Sequence, residues 1–141
     1  MRVSRLAVRL LLPPHPALAP PGEELVRRAT SWLAATSPEP RAKAVGLLQR
    51  ASILGNADAQ FLLGMLKVRG AIVPADLDGG VVLLTLAAAQ GHGEAENALG
   101  LALLHGHGIS RDPARGAEML RRAAGKGVAE ARRWLVAARV L

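Results

Sequence analysis

From position 23 onward, apolar residues recur along the chain at helical spacing. Ala59, Leu62, Leu63 and Leu66 lie three and four apart, as do Ala95, Ala98, Leu99 and Ala102. Each set therefore falls on one face of a helix. A second kind of stripe alternates with the first: Leu47/Leu48/Ala51, Leu83/Leu84/Ala87 and Met119/Leu120/Ala123. Together they predict first helices over residues 57–68, 93–105 and 128–140, and second helices over 40–54, 77–90 and 113–125. An earlier stripe of Leu25, Ala29, Trp32 and Leu33 predicts one more over 23–36. It opens on Glu23 and Glu24, where the helix dipole favours negative charge. Ser37-Pro38-Glu39-Pro40 then reads as a short stop and restart. In Asp112-Pro113, Asp can cap and Pro is pre-set for a first helical turn; Asp76 stands at the same place one unit earlier. Gly55, Gly91 and Gly127 follow the second helices, where a left-handed residue can end each one.

The stripes are copies of one another. A shift of 36 positions aligns Ala59, Ala95 and Ala131, then Leu63, Leu99 and Leu135, then Leu48, Leu84 and Leu120. The same shift pairs Gly64 with Gly100, Gly80 with Gly116, and Asp76 with Asp112. Mid-helix Gly costs about 1 kcal/mol against Ala, so its recurrence at fixed repeat positions predicts a close backbone approach between paired helices. A helical hairpin cannot bury its apolar face alone, whereas stacked hairpins can. The predicted fold is all-α: an α/α solenoid of about three helix-turn-helix repeats plus a C-terminal capping helix. It divides into an extended arm over 1–22 and a repeat domain over 23–141.

The repeated phrase resembles the Sel-one-like repeat (SLR), a tetratricopeptide-related α/α family. The third unit carries it most fully, in Ala95, Leu99-Gly100, Gly106-His107-Gly108-Ile109, Asp112, Arg115, Ala123-Ala124 and Gly127. The second keeps Ala59, Leu63-Gly64, Gly70, Asp76, Ala87-Ala88 and Gly91, with Ile72 in place of the second turn Gly. The first is degenerate, keeping Ala51 and Gly55. Lys67 and Leu103 stand where the family has its first aromatic, and Leu83-Leu84 and Met119-Leu120 replace its Trp-Tyr. The resemblance implies protein–protein binding, as adaptor or scaffold.

Composition narrows the chemistry. The 141 residues include no Cys, two Trp, one Phe and no Tyr. That excludes a disulfide framework, a thiolate zinc site and a cysteine nucleophile, and it argues against base-stacking modules. The net charge of +7 is concentrated at the two ends. Residues 1–22 carry Arg2, Arg5 and Arg9 with no acid, and residues 111–141 carry eight bases against three acids. The Pro-rich run over 13–21 should be extended rather than helical. The spacing of the three Arg suits a mitochondrial-type presequence better than a secretory signal, and an arm laid across a partner suits the segment better still. An intracellular reducing compartment or the mitochondrion is favoured over secretion. No apolar run approaches the roughly 18 residues of a membrane span.

No catalytic constellation emerges, and the chain is expected to be a non-enzyme without cofactor or metal. His92, His105 and His107 read as surface histidines. Gly106–Gly108 follows a helix and lacks the Lys-Ser/Thr signature of a phosphate loop. The expected partners are one or more proteins with an acidic surface, and no small-molecule substrate is expected. Contact residues should be side chains that packing does not use: Gln60, Lys67, Glu96, Asn97, Leu103 and His105 in a groove, Arg2, Arg5 and Arg9 on the arm, and Arg132, Arg133 and Arg139 on the closing helix. Three readings follow. The first is an adaptor or scaffold; the second is an accessory subunit of a large complex, such as a mitochondrial one, held by its arm. The third is a binder of nucleic acid or acidic membrane through the Arg-rich C-terminal helices, with nucleic acid the least favoured.

Overall fold

Four of the helix starts are closed by side chains that recur with the repeat. Asn56 accepts from the Ala59 N–H at 3.0 Å, Asp76 from Gly79 at 2.9 Å, His92 from Ala95 at 3.2 Å and Asp112 from Arg115 at 3.1 Å. Each satisfies a backbone donor the helix would otherwise orphan. Gly70 and Gly106 close the first helices of their units in the left-handed conformation, at φ 64° and 70°.

These signals produce seven helices in a computed structural model that describes residues 20–139. They are α1 (Glu23–Leu33), α2 (Pro38–Ile53), α3 (Ala57–Arg69), α4 (Leu77–Ala89), α5 (Gly93–His105), α6 (Pro113–Gly125) and α7 (Ala129–Ala137). No strand occurs among the described residues. Helices adjacent in sequence pack on one another in order, so the chain is a stack of hairpins closed by α7. Three ends differ from expectation by two residues or more, one of them that of α7, which stops at Ala137 rather than 140. Helix α1 stops at Leu33 rather than 36, and α2 starts at Pro38, because Ser37 is the N-cap and Pro38 sits in the first turn, where its missing N–H is not needed.

The paired glycines meet as their recurrence predicts. A Cβ on Gly80 would lie 2.9 Å from the Gly64 carbonyl oxygen and 2.6 Å from Val68 Cγ2. One repeat later, a Cβ on Gly116 would lie 2.8 Å from the Gly100 oxygen. Backbone thus touches backbone between α3 and α4, and again between α5 and α6. The core runs along the stack through Leu48, Leu84, Leu103, Leu120 and Leu135, all wholly buried. Burial of such a side chain is worth about 1.5–3 kcal/mol, so Leu carries these interfaces without aromatic side chains at those positions.

The turn after α3 departs from the repeat. Gly108 takes φ 67°, and Ile72, at the same repeat position, takes φ 68°. A β-branched residue there is strained by about 1–2 kcal/mol.

Candidate functional site

A polar clamp, built twice from the same positions, ties the two helices of a repeat to each other and to the end of the repeat before. In the earlier copy, Gln90 Nε2 donates to Gln60 Oε1 at 2.8 Å and to the Gly55 carbonyl at 2.9 Å. In the later copy, 36 residues on, Lys126 Nζ donates to Glu96 Oε2 at 2.7 Å and to the Gly91 carbonyl at 2.9 Å. The first clamp is neutral and the second ionic. Glu96 has no exposed surface, and Arg122 adds an ion contact of 3.0 Å to its other oxygen, off the line of a hydrogen bond. A carboxylate so buried is tolerated only because it is paired. Its partners are half-exposed, so only the acid is withdrawn from water.

His92 joins the start of α5 to the start of α3. Its Nδ1 accepts from the Ala95 N–H, so in the neutral ring the proton sits on Nε2, which donates to Asp58 Oδ1 at 3.0 Å. The ring stacks on Phe61 with centroids 4.7 Å apart. The histidine is therefore held as a cap and a strut.

Between α3 and α5, over α4, the packing leaves a groove with a cavity of about 260 Å³. Met65, Val68, Ala98 and Leu101 make it apolar, and Arg69, His105 and His107 stand at the C-terminal ends of the two first helices. The two histidine rings have centroids 5.6 Å apart. At the other end Asn97 Nδ2 donates to Glu130 Oε2 at 2.9 Å. Asn97 is 6% exposed, and its Oδ1 is buried without a partner. The orientation of that amide is fixed, because a carboxylate only accepts and must face the nitrogen. A second hollow, on the outer side of α4, is lined by Val82, Thr85, Leu86 and Ile109.

The structure redistributes the residues expected to line a groove. Gln60, Glu96, Asn97 and Leu103 are not free surface positions: they are 6%, 0%, 6% and 0% exposed. Each first helix is packed from more than one side, so positions off its apolar stripe are enclosed as well. Gln60 and Glu96 serve the clamps, and Leu103 fills the core space of the missing aromatic. Lys67 is half-buried, with Nζ 3.3 Å from Asp76 Oδ2. The backbone N–H of Gly79, and then Lys67, hold the Asp76 carboxyl below its ordinary range. His105 is exposed and lines the groove, as does the largely buried Asn97. Arg132, Arg133 and Arg139 are exposed on and after α7, apart from the α3–α5 groove. Arg2, Arg5 and Arg9 lie outside the described residues. Sequence reasoning did not find Met65, Arg69, Ala98, Leu101 or His107; the signal was that 65/101 and 69/105 are matching repeat positions. Among the described residues, no group of three His, Asp or Glu is placed to hold a metal, and no helix is long and apolar enough to cross a membrane.

The fold and its clamps define an α/α repeat solenoid. The Sel1 repeat model matches residues 41–56, 57–92 and 93–128, more than half of the chain, and the chain belongs to the Sel1 repeat family. Among solved structures, a Sel1 repeat protein from Oxalobacter formigenes is 30% identical with a TM-score of 0.72, covering 83% of this chain and 34% of that one. A protective antigen of uropathogenic Escherichia coli strains, displaying an SLR fold, is 26% identical with a TM-score of 0.72, covering 78% of this chain and 24% of that one. The cysteine rich protein B of Helicobacter pylori shares the fold at 15% identity and a TM-score of 0.61, over 78% of this chain and 93% of that one. This chain thus spans between a quarter and a third of the length of the first two. No protein of curated function matches the sequence. Sel1 repeat proteins are generally protein–protein interaction scaffolds and typically non-catalytic.

Proposed function

We propose that the chain is a non-catalytic adaptor that holds a partner protein in the groove between α3 and α5. One observation carries this reading. The clamps consume Gln60, Gln90, Glu96 and Lys126 in tying each second helix to its first, whereas the groove combines an apolar lining with a buried polar atom that nothing among the described residues satisfies. Apolar clefts with a few convergent polar groups are the usual form of a binding site. The test is co-purification from native extract with the full chain and with Ala98→Trp, which fills the groove. A partner retained by the first and lost by the second supports the reading. Equal retention removes it.

A second reading, an accessory subunit held by its arm, draws support from Asn56. Its Nδ2 donates to the Pro21 carbonyl at 3.0 Å, which fixes the point where the arm joins the repeats. On this reading Arg2, Arg5 and Arg9 contact neighbouring subunits in a large complex. Crosslinking mass spectrometry on native extract decides between the two: adducts on residues 1–22 favour the subunit, and adducts on α3 and α5 favour the adaptor.

A further inference from the structure

We infer that the groove takes an extended partner segment with one apolar side chain and one carboxylate, the carboxylate lying at the Arg69/His105/His107 end. The inference rests on the docking reading above and adds to it the chemistry and polarity of the occupant.

The two ends of the groove differ in what they accept. At one end, Asn97 Oδ1 is a buried acceptor with no donor among the described residues, and Glu130 is bonded to the same amide. A buried unsatisfied acceptor costs about 1–3 kcal/mol, so a ligand that brings an N–H there recovers part of that cost. A ligand carboxylate would instead meet two sets of acceptor oxygens and be repelled. At the other end stand the guanidinium of Arg69 and the rings of His105 and His107. All three can donate, and a guanidinium pairs with a carboxylate through two parallel hydrogen bonds. Arg69 and His105 occupy one position in consecutive repeats, so both close the last turn of their helices at the same level.

Spacing sets the length of the segment. Asn97 and His105 are eight residues apart on α5, or about 12 Å along the axis at 1.5 Å per residue. An extended chain rises about 3.3 Å per residue, so three to four residues span that gap. Between the ends, Met65, Val68, Ala98 and Leu101 offer room for one bulky apolar side chain. The chain's net charge of +7 favours encounter with an acidic segment at low salt.

The test is fluorescence anisotropy of the full chain with short labelled peptides. Each carries a central Leu and, three residues away on either side in turn, a Glu, a Gln or a Lys. One Glu peptide should bind, its Gln counterpart roughly tenfold more weakly, as befits the loss of one charge-assisted contact. The Lys counterpart should be weaker still. In Arg69→Glu, an exposed site at the helix end, the preference should invert toward Lys, and Ala98→Trp should bind none of them. Gln and Lys peptides binding as tightly as Glu would overturn the inference, as would a preference unmoved by Arg69→Glu. If no peptide binds while Ala98→Trp still strips native partners, this inference falls and groove docking stands. If Ala98→Trp strips nothing, the docking reading falls with it.

Discussion

Lys126 Nζ lies 2.7 Å from Glu96 Oε2, a carboxylate with no exposed surface. The two sit at opposite ends of one repeat, on its first helix and just after its second, and Gln60 and Gln90 make the same contact 36 residues earlier. The end of each second helix is thus tied to the first helix of its own repeat by a donor and a polar residue thirty positions apart, and to the repeat before by the same donor's bond to the Gly55 or Gly91 carbonyl. The two partners of the ionic clamp should be unequal. Lys126→Met leaves Glu96 buried with only the off-line Arg122, and should cost about 2–3 kcal/mol in denaturant unfolding. Glu96→Gln leaves cations that can return to water, and should cost about 1 kcal/mol. The double variant Glu96→Gln/Lys126→Gln rebuilds the neutral clamp and should be more stable than Lys126→Met alone. Additive losses would mean that the clamp is not a unit.

The glycine contacts predict opposite signs for one kind of substitution. Gly80→Ala puts a methyl 2.6 Å from Val68 Cγ2 and 2.9 Å from the Gly64 oxygen. It should destabilise by about 1–3 kcal/mol, since backbone cannot yield as a side-chain tip can. Gly46, in the middle of α2, has nothing within 4 Å of such a methyl. Gly46→Ala should therefore stabilise by about 1 kcal/mol. Urea melts of the two variants check the pair.

Ile72 carries strain without burial to match it. Its φ of 68° equals that of Gly108 within a degree, and its side chain is 38% exposed. Ile72→Gly should raise stability by about 0.5–1 kcal/mol, the relief of strain less the added entropy of the unfolded chain. A loss of stability would show that the exposed Ile packs better than its surface suggests.

Asp76 gives a pH signature. Its carboxyl is held below the ordinary range, first by the Gly79 N–H and then by Lys67. A lowered folded value means that the stabilisation is present above the unfolded value and is lost as pH falls through the folded one. Asp76→Asn keeps a capping oxygen but does not titrate. Its melting temperature should fall less than that of the unaltered chain as pH drops through and below the carboxylate range. Parallel curves would contradict the assignment.

The helices, the capping aspartates and the glycine approaches were legible because each repeats every 36 residues with one physical role. Gln60, Glu96 and Leu103 were misplaced for one shared reason. Reading a helix by its single apolar stripe treats every other position as outward, but a helix inside a stack is enclosed by both of its neighbours. The missing signal was complementarity at a fixed separation. Gln60 with Gln90 and Glu96 with Lys126 are thirty apart in consecutive units, and in each pair one side chain accepts what the other donates. Asn97 was named for the groove and lines it, but its bond to Glu130 was not legible, because Phe61 and Arg133 occupy its position in the neighbouring units and nothing recurs there.

Site-specific photo-crosslinking tests groove docking most directly. A photoreactive residue replaces either Leu101, in the groove, or Leu86, on the outer side of α4, and the full chain is irradiated in native extract. The account predicts a partner adduct from position 101, abolished by Ala98→Trp, and none from position 86. Adducts from 86 with none from 101 would contradict it.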